Sequence, residues 1–166
     1  TYCHSLPDYG IVGGFVTCPN GHSFTLMGEP GTSARDVIID AHGHGVCLGI
    51  LDSAYGGEIG WDTLTSPAFD RPEVLIAGIT LQNGNYEYRC SGLEIGSYFY
   101  AVTVRDCIIK DNVSDCGQGG GLSVTEPFNL LVEGNQILGN TIRPRWVHWH
   151  SGEEGWECRG GGLFIW

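Results

Sequence analysis

The chain is poor in basic side chains and contains a single lysine. Only 8 basic residues stand against 19 acidic ones, so the formal net charge is −11 at pH 7. A phosphate backbone or an anionic membrane surface would be repelled over most of such a protein. We therefore expect no nucleic acid among its partners.

Long apolar runs and closely spaced cysteines are missing as well. No run approaches the roughly 18 residues of a membrane span, and the first residues lack the basic and then apolar segments of a signal peptide. The seven cysteines include no C-x-x-C pair, so their spacing predicts neither a zinc site nor a thioredoxin-type site. Disulfides formed in an oxidising compartment are the better interpretation. We expect a secreted or cell-surface protein with no cofactor and no membrane span.

Glycine is abundant, at 27 of 166 residues, yet it forms neither a collagen repeat nor a long Gly/Ser tract. Together with a hydrophobic content of 42%, this scatter indicates a folded chain with many tight turns. We predict a single domain over residues 1–166, with inserted loops at about 52–72 and 141–158.

An internal repeat carries the prediction of the fold. Segments 74–84, 102–112 and 130–140 align without a gap, each 28 residues after the one before. Aliphatic residues alternate with other types along each segment, which is the period of two that strands require. Glycine, aspartate and asparagine fall together where the chain must turn. The three aliphatic columns are Val74, Val102 and Leu130; Ile76, Val104 and Val132; and Leu81, Ile109 and Ile137.

A second repeated unit follows each of these segments. Leu93, Leu122 and Leu163 each stand after a glycine and two residues before a β-branched residue. A coil of roughly 25 residues is too short for a strand plus a crossover helix, so each strand must pair with its equivalent in the next coil about 4.8 Å away. Upstream, 24–26, 37–40 and 46–48 take the same three strand positions. The prediction is an all-β parallel β-solenoid of about five rungs, with an inserted loop in the last rung.

This pattern resembles the pectin-lyase-like superfamily of right-handed parallel β-helices. The resemblance rests on segments 23–28, 36–40, 78–84 and 106–112 and on two Gly-Gly-Gly-Leu blocks. In style it is closest to repetitive bacterial surface and adhesin-type members, which implies an extracellular structural or adhesive module rather than an enzyme. The alternative that the resemblance leaves open is a polysaccharide lyase, a glycoside hydrolase or a sugar-binding fragment.

Two sets of residues are candidates for catalytic groups. Gly43-His44-Gly45 is similar to the glycine-flanked histidine of polygalacturonase-type hydrolases, with Asp36 and Asp40 as the nearest carboxyls. That family's other carboxyl and basic motifs are missing, and His42 with His44 lacks a third metal ligand. We predict turn histidines here and no catalytic residues.

The second set resembles the acidic residues and the proton-abstracting arginine of calcium-dependent lyases. Arg105, Asp106 and Glu133 lie on neighbouring coils of the predicted register. An exposed ion pair between Arg105 and Glu133, worth less than about 1 kcal/mol, is the preferred interpretation.

The inserted loop at 141–158 is the segment that the repeat does not explain. It concentrates tryptophan, histidine and arginine, the usual material of sugar platforms and protein hot spots. The alternative, to which we give the same weight, is that these tryptophans fold back over a sheet face. The predicted ligand- or partner-binding residues are Arg143, Arg145, Trp146, His148, Trp149, His150 and Trp156.

Four cysteines and one asparagine are candidates for a disulfide, a buried thiol and a glycosylation site. Cys90, Cys116 and Cys158 each precede the Gly-x-Leu strand of successive coils, so we expect two of them to form a disulfide. Cys107 points inward in the predicted register and should be a buried thiol. Asn112 begins a glycosylation triplet.

The two ends of the predicted solenoid show no capping helix or polar terminal repeat in the sequence. A solenoid leaves unpaired backbone groups on its first and last rungs. We therefore expect the ladder to continue, either by head-to-tail contact with a second copy, growing a filament, or through further rungs of a longer chain. Carbohydrate remains the other expected partner.

Overall fold

The structure is a computed structural model. It describes residues 14–18, 23–52, 72–87, 90–96, 99–115, 117–143, 146–148, 154–156 and 158–166. Within these residues every regular element is a β-strand.

Most strands belong to parallel sheets, which we call A to D, with strands numbered in chain order. Sheet A contains β1 (Gly14–Cys18), β4 (Leu48–Asp52), β8 (Leu93–Gly96), β13 (Leu122–Val124) and β20 (Leu163–Ile165). Sheet B contains β2 (Phe24–Met27), β5 (Glu73–Ala77), β9 (Ala101–Arg105) and β14 (Asn129–Glu133). Sheet C contains β3 (Ile38–Asp40), β6 (Thr80–Gln82), β10 (Ile108–Lys110) and β15 (Gln136–Leu138). Sheet D contains β7 (Asn85–Tyr86), β11 (Val113–Ser114) and β16 (Thr141–Ile142).

Two short pairs complete the set. Strands β12 (Gly117–Gln118) and β19 (Cys158–Arg159) are parallel, whereas β17 (Trp146–His148) and β18 (Glu154–Trp156) form an antiparallel pair. The first described coil, β2 to β4, passes through sheets B, C and A, and from β5 onward the chain passes through sheets B, C, D and A in turn and then repeats. Neighbours within each sheet therefore follow one another along the chain. This path makes the fold β-solenoid-like, as the repeat predicted.

The predicted register is confirmed. Val102 pairs with Val74 on one side and Leu130 on the other, and Ile109 lies between Leu81 and Ile137 in the same way. Val104 and Ile109 are 0% exposed. The interior is therefore built from columns of aliphatic side chains, each stacked on its equivalent in the next coil.

One predicted strand position is wrong. The sequence placed a strand at 46–48, but β4 begins at Leu48 and runs to Asp52. Leu48 and Ile50 pair with Leu93 and Ile95, so these two residues supply the inward pair of this coil. Val46 and Cys47 instead form the buried corner before the strand.

The glycines immediately before β8 and β13 have a steric cause. A Cβ added to Gly92 would lie 2.2 Å from the carbonyl oxygen of Gly121, and one added to Gly121 would lie 2.6 Å from that of Gly162. These contacts are with backbone of the next coil, which cannot move aside without opening the stack. The glycine directly before Leu93 and before Leu122 therefore marks a close approach between coils.

We expect Val104→Ala to lower the free energy of unfolding by about 1–3 kcal/mol, through lost transfer energy and the cavity left in the column. Urea unfolding followed by circular dichroism measures this loss. The outward-facing Thr103→Ala is the matched control and should cost less than about 1 kcal/mol. Equal losses in the two variants would contradict the inward assignment of Val104.

Gly92→Ala should destabilise the fold by about 1–3 kcal/mol or more, because its methyl group has no space between the coils. Gly43→Ala is the comparison: a Cβ there meets nothing within 4 Å, and only the positive φ of 80° opposes it. Thermal unfolding of both variants tests the steric explanation, which fails if Gly92→Ala is the milder change.

Candidate functional site

Asp40 lies at the end of β3 and is surrounded by hydrogen-bond donors. Its carboxylate accepts from Gln82 Nε2 at 2.6 Å, from Asn83 Nδ2 at 2.9 and 3.0 Å and from the His42 N–H at 2.7 Å. These donors, with that of Gln82 largest, lower the pKa of Asp40 to about 2. A carboxyl with this pKa stays ionised near neutral pH and cannot serve as a general acid there. Its evident role is to tie two coils together.

Asp36, the second candidate carboxyl, is occupied in its own turn. It accepts from the Ser33 N–H and the Ser33 hydroxyl, both at 2.7 Å, and these bonds lower its pKa. Among the described residues no hydrogen bond or ion pair joins Asp36 to Asp40, and His44 is exposed. The structure thus gives both carboxylates local structural partners.

The Arg105 and Glu133 side chains lie next to each other in the register of β9 and β14, and both are exposed. No ion pair within 4 Å joins these two described residues, so the expected salt bridge is not formed. Asp106, the third residue of that set, has a positive φ of 54° and makes the corner after β9. A cross-coil ion pair does form further along the chain, between Arg143 Nη1 and Asp115 Oδ1 at 3.3 Å.

The predicted binding loop contains the antiparallel pair β17–β18. In its register Trp146 stands opposite Trp156, and His148 stands opposite Glu154. Arg143, at the start of the loop, is held by Asp115. The remaining members of the predicted set, Arg145, Trp149 and His150, lie outside the described residues.

Cys90 takes no part in the predicted disulfide between two of Cys90, Cys116 and Cys158, because it is a free buried thiol whose Sγ donates to the Leu93 carbonyl at 3.2 Å. A bond between the other two stays a prediction. Cys116 lies outside the described residues, and Cys158 is placed by its backbone on β19 beside Gly117. Cys107 is a buried free thiol, as predicted. Burial raises the pKa of Cys47 to about 12 and also raises those of Cys90 and Cys107, so these thiols are poorly nucleophilic in the folded chain.

Three corner asparagines form a network that sequence reasoning missed. Asn112 Oδ1 accepts from the Gly84 N–H at 2.8 Å, and its Nδ2 donates to the Leu81 carbonyl at 3.3 Å. Asn140 repeats this pattern with the Asn112 N–H at 3.1 Å and the Ile109 carbonyl at 2.8 Å.

Asn135 occupies the other corner, before β15, and makes the same two bonds. It accepts from the Cys107 N–H at 2.9 Å and donates to the Val104 carbonyl at 2.7 Å. For each of the three asparagines, the backbone N–H donor lies 28 residues earlier in the chain and the carbonyl acceptor 31 residues earlier. The signal available in the sequence was the shared column of Asn112 and Asn140.

The burial and the hydrogen bonds of Asn112 bear on whether this residue can be glycosylated. Its side chain is 0% exposed, and Nδ2 donates to Leu81 and, at 2.9 Å, to Asn140 Oδ1. A glycan on this nitrogen would have to break these bonds and open the stack. The folded structure therefore disfavours modification at Asn112.

The last strands of sheets A, B and C form an open end, made of β20, β14 and β15. Leu163 and Ile165 are 40% and 48% exposed, although their equivalents in β13, Leu122 and Val124, are 0% exposed. The inward residues of β14 and β15 are likewise only partly buried. Among the described residues nothing stacks on this end.

No family model matches the chain, and no curated protein or solved structure matches it. Among the described residues there is no helix long and apolar enough to cross a membrane. In the same part of the chain no group of three or more His, Cys, Asp or Glu side chains is placed to hold a metal ion.

Asn112→Ala should strongly destabilise the chain, because the buried Gly84 N–H and Leu81 carbonyl would lose their hydrogen-bond partner. Each unsatisfied group should lower the free energy of unfolding by roughly 1–3 kcal/mol. Asn129→Ala, at an exposed site, is the control and should have little effect. Chemical denaturation of both variants provides the measurement. A loss at Asn112 no larger than that at Asn129 would mean that the corner bonds do not hold the coils.

The pKa of Asp40 gives a prediction of pH dependence. Because its folded pKa of about 2 lies below the ordinary value of 3.8, the ionised carboxylate stabilises the fold above about pH 4, and this contribution is lost as the pH falls from 4 toward 2. Asp40→Asn should be less stable than the parent chain at pH 6, with the difference shrinking over that window. Urea midpoints from pH 6 to 2 test this, and a difference that does not change with pH would count against it.

Proposed function

We propose that this chain is an extracellular structural or adhesive module, a right-handed parallel β-helix of about five coils that extends by stacking another parallel coil on its open end. The observation that carries the proposal is the exposure of Leu163 and Ile165 in columns that are otherwise closed. Apolar side chains of a continuous core are costly to leave in water, and unpaired strand edges are ready templates for pairing. An added coil would bury these apolar side chains and pair these strand edges.

We propose two sources for that coil: a second copy stacked head to tail, or further coils of a longer chain. At the other end of the stack, β1, β2 and β3 are the last strands of the same three sheets. In such a contact β20 would meet β1, β14 would meet β2 and β15 would meet β3, so that sheets A, B and C would continue in the same order. The contact is heterologous and does not close, and it therefore builds a filament.

The hydrogen bonds made by the carboxylates of the chain suit this role better than catalysis. Asp36 and Asp40 are held by structural hydrogen bonds, and neither is poised to transfer a proton at neutral pH.

The net charge of −11 per copy opposes association of copies at low ionic strength, because like charges repel until salt screens them.

The molar mass should therefore rise with protein concentration and with added salt in sedimentation velocity. Ile165→Asp, which places a carboxylate in the open interior column, should keep the chain monomeric. Leu131→Asp is the matched control: Leu131 is 46% exposed on a last strand but pairs with Thr103 in the outward column, so its association should persist. A chain that stays monomeric at every concentration and salt level contradicts self-stacking.

Sugar binding by the β17–β18 hairpin is a second candidate, favoured by the tryptophan pair in its register. Trp146 stands opposite Trp156, and aromatic pairs on a two-stranded ribbon are suited to stacking against sugar rings. The negative net charge favours a neutral glycan over a polyuronate. Calorimetric titration with neutral oligosaccharides should show binding that Trp146→Ala removes and Val147→Ala preserves, and binding unaffected by either change would exclude the hairpin.

A further inference from the structure

Asn83 and Gly84 form an Asn-Gly pair at the corner between β6 and β7. Of the asparagines in the chain, only Asn20 and Asn83 directly precede a glycine. In such a pair the glycine nitrogen can attack the asparagine carboxamide, because glycine has no side chain to hinder the approach. Asn-Gly pairs are for this reason prone to deamidation in an unfolded chain. Asn20 lies outside the described residues.

Deamidation at Asn83 needs water and no other reactant. The Gly84 nitrogen forms a bond to Cγ of Asn83, the Cγ–Nδ2 bond breaks, and Nδ2 leaves as ammonia with the proton that the Gly84 N–H gives up. Water then opens the cyclic imide. Its addition at Cγ gives aspartate, and its addition at the backbone carbonyl gives isoaspartate, in which the main chain runs through the side-chain methylene and carries one more carbon.

In the folded chain both nitrogens of this pair are held by neighbouring coils. The Gly84 N–H donates to Asn112 Oδ1 at 2.8 Å in a buried corner, so its proton is withheld from the solvent base that the attack requires. Nδ2 of Asn83, the leaving group of the reaction, donates to the two carboxylate oxygens of Asp40 at 3.0 and 2.9 Å. The stack therefore engages the attacking nitrogen on one side and the leaving nitrogen on the other.

The backbone of this corner is also fixed from both sides. The Gly43 N–H donates to the Asn83 carbonyl at 2.7 Å, and the Val113 N–H donates to the Gly84 carbonyl at 2.8 Å. Asn83 has a φ of 59°, close to the 57° of Asp111 at the equivalent position of the next coil. Closing the imide ring requires rotation about the bonds between Cγ of Asn83 and the Gly84 nitrogen, and these contacts oppose it.

The products of the reaction would lose the contact with Asp40. A carboxylate at position 83 has no proton to donate, and it would place two negative charges where two hydrogen bonds now lie. Asp40 cannot relieve this repulsion near neutral pH, because its pKa is about 2 and it stays ionised. Isoaspartate would in addition lengthen the main chain between the ladder bonds to Gly43 and Val113.

We propose that Asn83 is a deamidation site that the stacked coils protect, and that its reaction weakens the contact between the coil containing β3 and the coil containing β6. The reaction begins from a locally opened corner, in which the Gly84 N–H has left Asn112. A corner that has reacted closes less favourably, since it no longer donates to Asp40. This modification depends on no partner of the chain and is separate from the proposed stacking.

Peptide mass spectrometry of the full chain, incubated at mildly alkaline pH, measures the reaction. In urea that unfolds the chain both Asn83 and Asn20 should deamidate, and in buffer the rate at Asn83 should be at least about tenfold lower than in urea. At intermediate urea the rate at Asn83 should rise in parallel with hydrogen exchange of the Gly84 amide. Equal rates in buffer and in urea, or no reaction of Asn83 in urea where Asn20 reacts, would overturn the proposal.

Asn112→Ala removes the acceptor of the Gly84 N–H. The matched control is Asn135→Ala, because Asn135 makes the same two kinds of bond at a corner that does not contain Gly84. At urea concentrations that give both variants the same folded fraction by circular dichroism, Asn83 should react faster in Asn112→Ala. Equal rates would refute the protective role of Asn112. If Asn112→Ala does not fold, the urea series on the parent chain decides the question.

Asn83→Asp reproduces the aspartate product and tests its effect on the coil contact. Asn85→Asp is its control, because it adds the same charge at an exposed position of the same corner. Urea unfolding at neutral pH should give a lower midpoint for Asn83→Asp than for Asn85→Asp. Equal midpoints in the two variants would show that the product does not weaken the contact with Asp40, and would overturn that part of the proposal.

Discussion

The backbone ladder between equivalent residues of successive coils is the constraint on which the rest of this structure depends. Because each strand of sheets A, B and C pairs with its counterpart in the next coil, a residue meets the same column at every turn of the chain. Val104 lies between Ile76 and Val132 for this reason. The aliphatic columns, the narrow glycine corner and the asparagine network all follow from keeping this register.

Polar side chains in this fold act mainly between coils. Asn112 is fully buried, yet its amide oxygen and nitrogen both have partners, and it satisfies backbone groups that a corner would otherwise leave unpaired. Asp40 plays a similar part at the surface by accepting from Gln82 and Asn83 of the next coil. Asp40, a catalytic candidate in the sequence, and Asn112, a modification candidate, therefore both help to hold the stack.

A ladder of this kind has no internal reason to stop. The last coil offers the same strand edges, columns and corner groups as the coils inside the stack, and Leu163 and Ile165 show by their exposure how much interior is left accessible.

The sequence by itself determined the strands, their inward faces and the register of this protein. The alternation within 74–84 and its return after 28 residues are local patterns, and parallel pairing of equivalents is the arrangement that stacks Val74, Val102 and Leu130 in one column. Only the tertiary structure decided that Cys90 is a free thiol and that β4 begins at Leu48. It also decided that Asp40 has a low pKa and bonds to the next coil, and that the corner asparagines bond to backbone groups of the preceding coil. These outcomes depend on side-chain directions and on contacts between residues 28 to 42 positions apart, such as Asn112 with Leu81 and Asp40 with Gln82, and a pattern of residue types does not specify which polar atoms meet there.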